Sequence, residues 1–347
     1  MQIFGQNLSR RELEARLGSI ENVIGVRRIE LQEGQQAGVE MAHVRTGAGL
    51  SYYVNLSRAL DIGLTEFCGT PISWQSVNGE THPSYFEPEG TGWLRSAAGG
   101  LLMSCGLTQV GAPCEDQGEK LGIHGRIHHL PASQIAAEAH WRGEKYQMRV
   151  SGVINENRIF GENIKLTREI ISYLGENRII IQDRIENVGF QSTPHMVLYH
   201  FNFGFPLMSE KTQIHFPSKR VVPREPDLPI QGYDQYQVPE IDYPERVYYH
   251  QDLELCDEKH ACVEIDNPQF PVGIGKGSFP LKVRLRWETS WLDRLIQWKM
   301  PGAGVYALGV EPSNCFVGGR VAERERGSLQ MIEPGERRDY GLEIIIE

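Results

Sequence analysis

Three short segments of this chain place ionisable side chains where apolar, strand-like sequence ends. In Gly122–Ile123–His124–Gly125–Arg126 a histidine stands between glycines and a guanidinium follows two residues on. Glycine lets backbone approach a partner closely, and on an extended chain residues i and i+2 face the same side. That spacing puts His124 and Arg126 on one face, able to bind vicinal hydroxyls or a developing oxyanion; a turn histidine bonded to backbone fits the same residues. In the run from His195 to Gly204, His200 and Asn202 share one face and Phe201 and Phe203 the other. A histidine at a strand end suits general acid chemistry, because its reference pKa of roughly 6.5 leaves both protonation states accessible near neutrality. His195, at odd spacing from His200, is expected on the opposite face in a structural role. The third segment, Gly304 to Asn314, is an apolar strand closed by Glu311 and Pro312. A carboxylate there is costly to bury without partners or a task, unless it reaches water at an edge.

Two weaker candidates accompany these. Trp298 and Lys299 offer an aromatic face and a cation of the sort sugar sites use, or else ordinary packing and surface residues. Arg58 and Asp61 either pair with each other or present groups to hydroxyls.

Such side chains need strands to carry them. One helix is expected first, within residues 1–20: Ser9 and Glu12 make a capping box, Leu13 and Leu17 an apolar stripe, and Gly18 a stop. After it the periodicity is two. Gly38–Arg45, Tyr146–Val153, Asn163–Ser172, Asn177–Glu186, Leu281–Thr289 and Gly341–Ile346 alternate or are rich in β-branched residues. Leu174–Gly175–Glu176 reads as a hairpin connection. The 37 glycines and 19 prolines are spread along the chain, which punctuates many strands and marks no seam, so residues 1–347 are expected to form a single domain. The longest irregular stretch, 211–257, is rich in proline and is either a functional cover or protection for a sheet edge. Many strands without βαβ alternation predict an all-β fold, a large antiparallel β-sandwich, with a cupin-like barrel as competitor.

Composition narrows the partners. The formal net charge is −10 and no lysine or arginine block exceeds two residues, which argues against nucleic acid. No apolar run reaches the roughly 18 residues a membrane span needs, and the N-terminus lacks a signal-peptide pattern. The six cysteines are scattered without a CxxC pair and read as reduced, mostly buried thiols of a cytoplasmic protein. Assembly into a homo-oligomer is compatible with the sequence and not specified by it.

Taken in order, Ile123–His124–Gly125, Tyr199–His200–Phe201–Asn202–Phe203 and Val310–Glu311–Pro312 resemble the motifs of the aldose 1-epimerase (galactose mutarotase) superfamily. The strand and turn Asp183–Gly189 and the turn Glu333–Glu336 are similar to family features as well. Arg58–Gly63, Gly99–Leu102 and Cys105–Leu107 look most like a bacterial subgroup of poorly defined substrate. The chain departs from the usual Ser/Thr-Tyr-Phe after the second histidine, carrying Phe201–Asn202–Phe203 instead.

The resemblance implies a β-supersandwich that interconverts the α and β anomers of a monosaccharide or sugar derivative. In it Glu311 would take the anomeric proton and His200 would protonate the ring oxygen. His124, Arg126, Asn202, Lys299, Arg58 and Asp61 would bind substrate, and neither metal nor other cofactor is expected. Two rival readings stand beside it: a non-catalytic carbohydrate-binding or sensor protein on the same scaffold, and a cupin-type metal-dependent isomerase with His124, His200 and Glu311 as ligands.

Overall fold

The computed structural model describes residues 2–3, 5–272 and 277–347. Its large sheets begin with Gly25–Glu30 (β1), Glu40–Arg45 (β2), Leu50–Asn55 (β3), Asp61–Phe67 (β4) and Leu102–Leu107 (β5). Four long strands follow: Ser133–Arg142 (β6), Lys145–Asn157 (β7), Asn163–Tyr173 (β8) and Arg178–Asn187 (β9). Then come Met196–Gly204 (β10), Gln213–His215 (β11), Ser218–Pro223 (β12) and Arg246–Leu253 (β13). The last are His260–Pro271 (β14), Ser278–Glu288 (β15), Arg294–Gly302 (β16), Val305–Ser313 (β17) and Arg337–Ile346 (β18).

One sheet has the order β12-β13-β16-β17-β10-β5-β4-β3-β2-β1, and the other β6-β7-β8-β9-β18-β15-β14-β11. Neighbours pair antiparallel, as hairpin-connected strands do. The strands legible from alternation are all present, and Gly175 turns β8 into β9 with φ +79°. Burial alternates along β8 and β9, as expected for strands with one face on the core.

A strand of the first sheet behaves differently. Every residue of β10 is buried, because both faces of this central strand are covered. Val197, Tyr199, Phe201 and Phe203 join the main core between the sheets. Met196 and Leu198 point the other way and join a second apolar cluster with Met103, Cys105, Ile296 and Trp93. That outer face carries the candidate site.

A buried polar network ties the two sheets together behind it. Arg168 on β8 holds Asp183 on β9 through two nitrogens, at 2.9 and 2.6 Å, and reaches Asp61 on β4 at 3.1 Å. Asp61 also accepts from the Ser104 amide (3.0 Å), the Ser104 hydroxyl (2.6 Å) and His128 Nδ1 (2.6 Å). The Tyr199 hydroxyl donates to Asp183 at 2.7 Å. Buried charges persist where every lone pair and proton is matched, and here the matching crosses the interface.

Three expectations need amending. The helix covers only Arg10–Glu14 (α1), with the Ser9–Glu12 capping box formed but Leu17 and Gly18 outside it. Only Leu13 of it is buried, and so short a helix has little besides its cap to sustain it. The 211–257 stretch is not irregular throughout: it contains β11, β12 and β13, with loop between Arg224 and Glu245. The cysteines are all free, but only Cys105 and Cys315 are buried. Among the described residues no helix is long and apolar enough to cross a membrane.

Candidate active site

Strand register assembles the centre of the site. Phe201 pairs with Val310 across β10 and β17, which sets His200 beside Glu311. Ile296 of β16 pairs with Glu311 on its other side, and Trp298 with Gly309. Because side chains alternate along a strand, His200, Glu311, Ile296 and Trp298 emerge on one face. His200 Nε2 lies 3.1 Å from Glu311 Oε1. The Trp298 ring stands edge-on to His200 with centroids 5.7 Å apart. His124 arrives from the loop after β5, its ring 6.1 Å from that of His200.

These groups line a cavity of about 470 Å³, a size typical of small-molecule sites. Its walls are mainly apolar and aromatic. Trp74 meets Trp298 edge-on at 5.6 Å, and Trp93 lies 5.1 Å from His124. Aromatic faces of this kind pack against the C–H surface of a sugar while a few polar groups fix its orientation. Arg224 and Glu245, from the ends of the 224–245 loop, also line the cavity. Arg224 binds Glu245 at 2.9 Å, and Glu245 accepts from Trp298 Nε1 at 3.1 Å. The loop therefore clasps the indole in place. A second cleft, of about 570 Å³, is lined by His215, Asp257, Glu264, Arg284 and Arg286. Its charges are engaged with one another, Arg284 with Glu264 and Arg286 with Asp257, so it offers no comparable acid–base couple.

Burial sets the protonation of the couple. It pushes the Glu311 carboxyl well above the usual range, with the nearby Glu245 charge adding to the rise and Arg224 opposing it. Burial lowers His200 to about 3, helped by His124 and opposed by Asn202. His124 is lowered to about 4, again chiefly by burial. Loss of solvation penalises the charged form of each group. Both shifts favour the uncharged forms, a protonated carboxyl facing a neutral imidazole across the 3.1 Å contact. His200 Nδ1 and His124 Nδ1 are buried and make no hydrogen bond within the protein.

The remaining sequence candidates do not line the cavity. Arg126 is exposed, its guanidinium 5.8 Å from the Phe86 ring. The expected shared face with His124 fails because His124 and Gly125 are left-handed, at φ +57° and +71°, so the chain turns where extension was assumed. Lys299 follows Trp298 on β16 and alternation sends it to the opposite face. There it is buried and donates to the Gly232 carbonyl at 2.6 Å. Asn202 leans on His200, yet its amide is spent on the Gly100 and His200 carbonyls. Asp61 belongs to the network between the sheets. Arg58 is buried, donating to the Thr81 carbonyl at 2.7 Å, and makes no ion pair with Asp61. His195 bonds the Tyr340 hydroxyl at 2.7 Å, away from the site. Among the described residues no group of three His, Cys, Asp or Glu side chains is arranged to hold a metal ion.

Sequence reasoning passed over Trp74, Trp93, Arg224 and Glu245. Lone tryptophans in glycine- and proline-rich loops were the available signal for the first two.

Comparison with known proteins bears on the family and the fold. A family model described as a domain of unknown function, DUF4432, matches residues 36–346. No curated protein matches the chain. A candidate aldose 1-epimerase from Klebsiella pneumoniae superposes with a TM-score of 0.82 at 20% identity, over 92% of this chain and 83% of that one. A galactose mutarotase-like protein from Clostridium acetobutylicum gives 0.61 at 10% identity, over 94% and 99%. Galactose 1-epimerase from Lactobacillus acidophilus gives 0.56 at 10% identity, over 93% and 99%. At these identities the likeness shows a shared fold, the mutarotase-like antiparallel sandwich.

Proposed function

The chain belongs to the DUF4432 family, and from that premise we propose that it is an aldose 1-epimerase-like isomerase acting on a free monosaccharide or sugar derivative. The observation that carries this reading is the buried His200–Glu311 contact opening into an aromatic cavity. Neighbours of the same fold described as aldose 1-epimerases support it. Six cysteines without a disulfide suit a reducing, cytoplasmic setting.

In the proposed reaction the anomeric hydroxyl binds at Glu311 and the shared proton crosses to His200. The Glu311 carboxylate then takes the hydroxyl proton, O1 becomes a carbonyl oxygen as the C1–ring-oxygen bond breaks, and His200 protonates the ring oxygen. Rotation about C1–C2 and the reverse transfers close the ring on the other face. Base and acid are each worth about 10²–10⁴ in rate. His124, which lines the cavity with Arg224 and Glu245, is a further polar contact for the sugar, and the tryptophans hold its apolar face.

The test is anomer exchange by NMR across neutral, acidic, phosphorylated and deoxy sugars. Acceleration of at least one supports the reading. Calorimetric binding without acceleration assigns the protein to the non-catalytic class instead.

The pH dependence follows from the couple. Activity needs one proton on the pair. A second proton enters only as pH falls through the lowered His200 value, about 3, and the single proton leaves only as pH rises through the raised Glu311 value. After subtraction of the spontaneous rate, kcat is expected not to fall as pH drops from neutrality to about 5. A loss of half the activity on the acid side near 6.5, as for an ordinary solvated histidine that must stay neutral, would contradict the assignment.

A further inference from the structure

We propose that Gly309 is a positioning residue, whose missing side chain allows His200, Glu311 and Trp298 to close over one point of the sheet. The proposal rests on reading His200 and Glu311 as the acid–base couple. Gly309 lies on β17 two residues before Glu311, on the same face, paired with Trp298 on one side and Asn202 on the other. A β-carbon there would stand 2.6 Å from Glu311 Oε1, 2.8 Å from Trp298 Cβ and 3.1 Å from His200 Cε1. Non-bonded carbon atoms settle at about 3.5–4.0 Å, so all three neighbours already occupy the space.

Local backbone does not explain the glycine. Gly309 is not among the residues with positive φ, so an L side chain suits its conformation. Glycine inside a strand is unfavourable and usually marks the close approach of something else. What approaches here is the reactive pair and its aromatic wall. Of the three, Trp298 Cβ is fixed to its own strand and the His200 ring is held between neighbours. The Glu311 carboxyl, at the end of a flexible chain, is what an added methyl would displace. Displacement lengthens the His200 contact and carries the carboxyl from the position where it meets O1.

Gly302 on the adjacent strand makes a control. A β-carbon there meets the Met300 terminal methyl at 2.9 Å, a flexible end that moves cheaply, and Gly302 does not line the cavity.

The experiment compares wild type, Gly309→Ala, Gly302→Ala, Glu311→Ala, Glu311→Asp and Gly309→Ala combined with Glu311→Asp. In Gly309→Ala, kcat for anomer exchange is expected to fall by about 10²-fold, the scale of an ångström-sized misplacement, with KM within about threefold. The ¹⁵N shift of His200 Nε2, read in sugar-free protein, is expected to match that of Glu311→Ala. Gly302→Ala should keep wild-type values. In the double variant the shorter acid removes the tightest of the three contacts and leaves those to Trp298 Cβ and His200 Cε1, so the added alanine should cost several-fold less relative to Glu311→Asp alone than it costs in wild type. Wild-type kcat and nitrogen shift in a folded Gly309→Ala protein overturn the proposal, as does failure of both proteins that carry Gly309→Ala to fold. If wild type accelerates no sugar, the functional reading falls, while the nitrogen shift still decides the role of Gly309.

Discussion

Glu311→Gln is expected to lower kcat for anomer interconversion by about 10³-fold with little change in KM. Glutamine keeps the shape and the hydrogen-bonding reach of the acid but cannot accept the anomeric proton. Stability should hardly alter, because burial already favours the uncharged acid at this position and glutamine mimics that form. The melting temperature should remain within about 2 °C, less than the shift a 1 kcal/mol change brings to most domains. A fall confined to KM would mean that Glu311 binds and does not react. A collapse of the melting temperature would mean that it is a structural acid. Either outcome removes it from the chemistry.

The second large effect concerns stability and leaves the reaction nearly untouched. Asp61→Ala removes the acceptor of four hydrogen bonds at once, from Ser104 N and Oγ, His128 Nδ1 and Arg168. Arg168 keeps Asp183, but the Ser104 amide and His128 lose a partner in a dry interior. Breaking a buried charged network by deleting one member costs about 3–5 kcal/mol. Urea unfolding should show a midpoint lowered accordingly, with KM for the best sugar unchanged in the protein that remains folded. A raised KM with an unmoved midpoint would return Asp61 to the list of sugar-binding residues.

Period-two alternation made the couple itself legible. It set His200 apart from Phe201 and Phe203, which the core confirms, and it marked Glu311 as a carboxylate embedded in an apolar strand. The same rule, applied one residue further, excludes Lys299 from the face that holds Trp298. Arg126 was misplaced because nothing in Gly-His-Gly distinguishes an extended chain from the left-handed turn adopted at His124. Asp61 was misplaced because its partners are distant in sequence, Ser104, His128 and Arg168 lying 43, 67 and 107 residues away. Trp74, Arg224 and Glu245 stand on loops and Trp93 on a single 3₁₀ turn, Gly92–Arg95, where neither period nor propensity tells which way a side chain will turn. The antiparallel sandwich, by contrast, rests on many strands whose alternation each repeats the same message.

The division of labour between strands and loops has an evolutionary side. The His200–Glu311 pair, in its proposed role, is fixed by register in the middle of a sheet, where a slip of one residue would invert every side chain. The walls that meet the rest of a ligand come from segments around Trp74, Trp93 and Arg224–Glu245. Those segments can lengthen, shorten or exchange residues without touching the register. Relatives with the same couple and different rims are therefore expected to perform one reaction on quite different sugars.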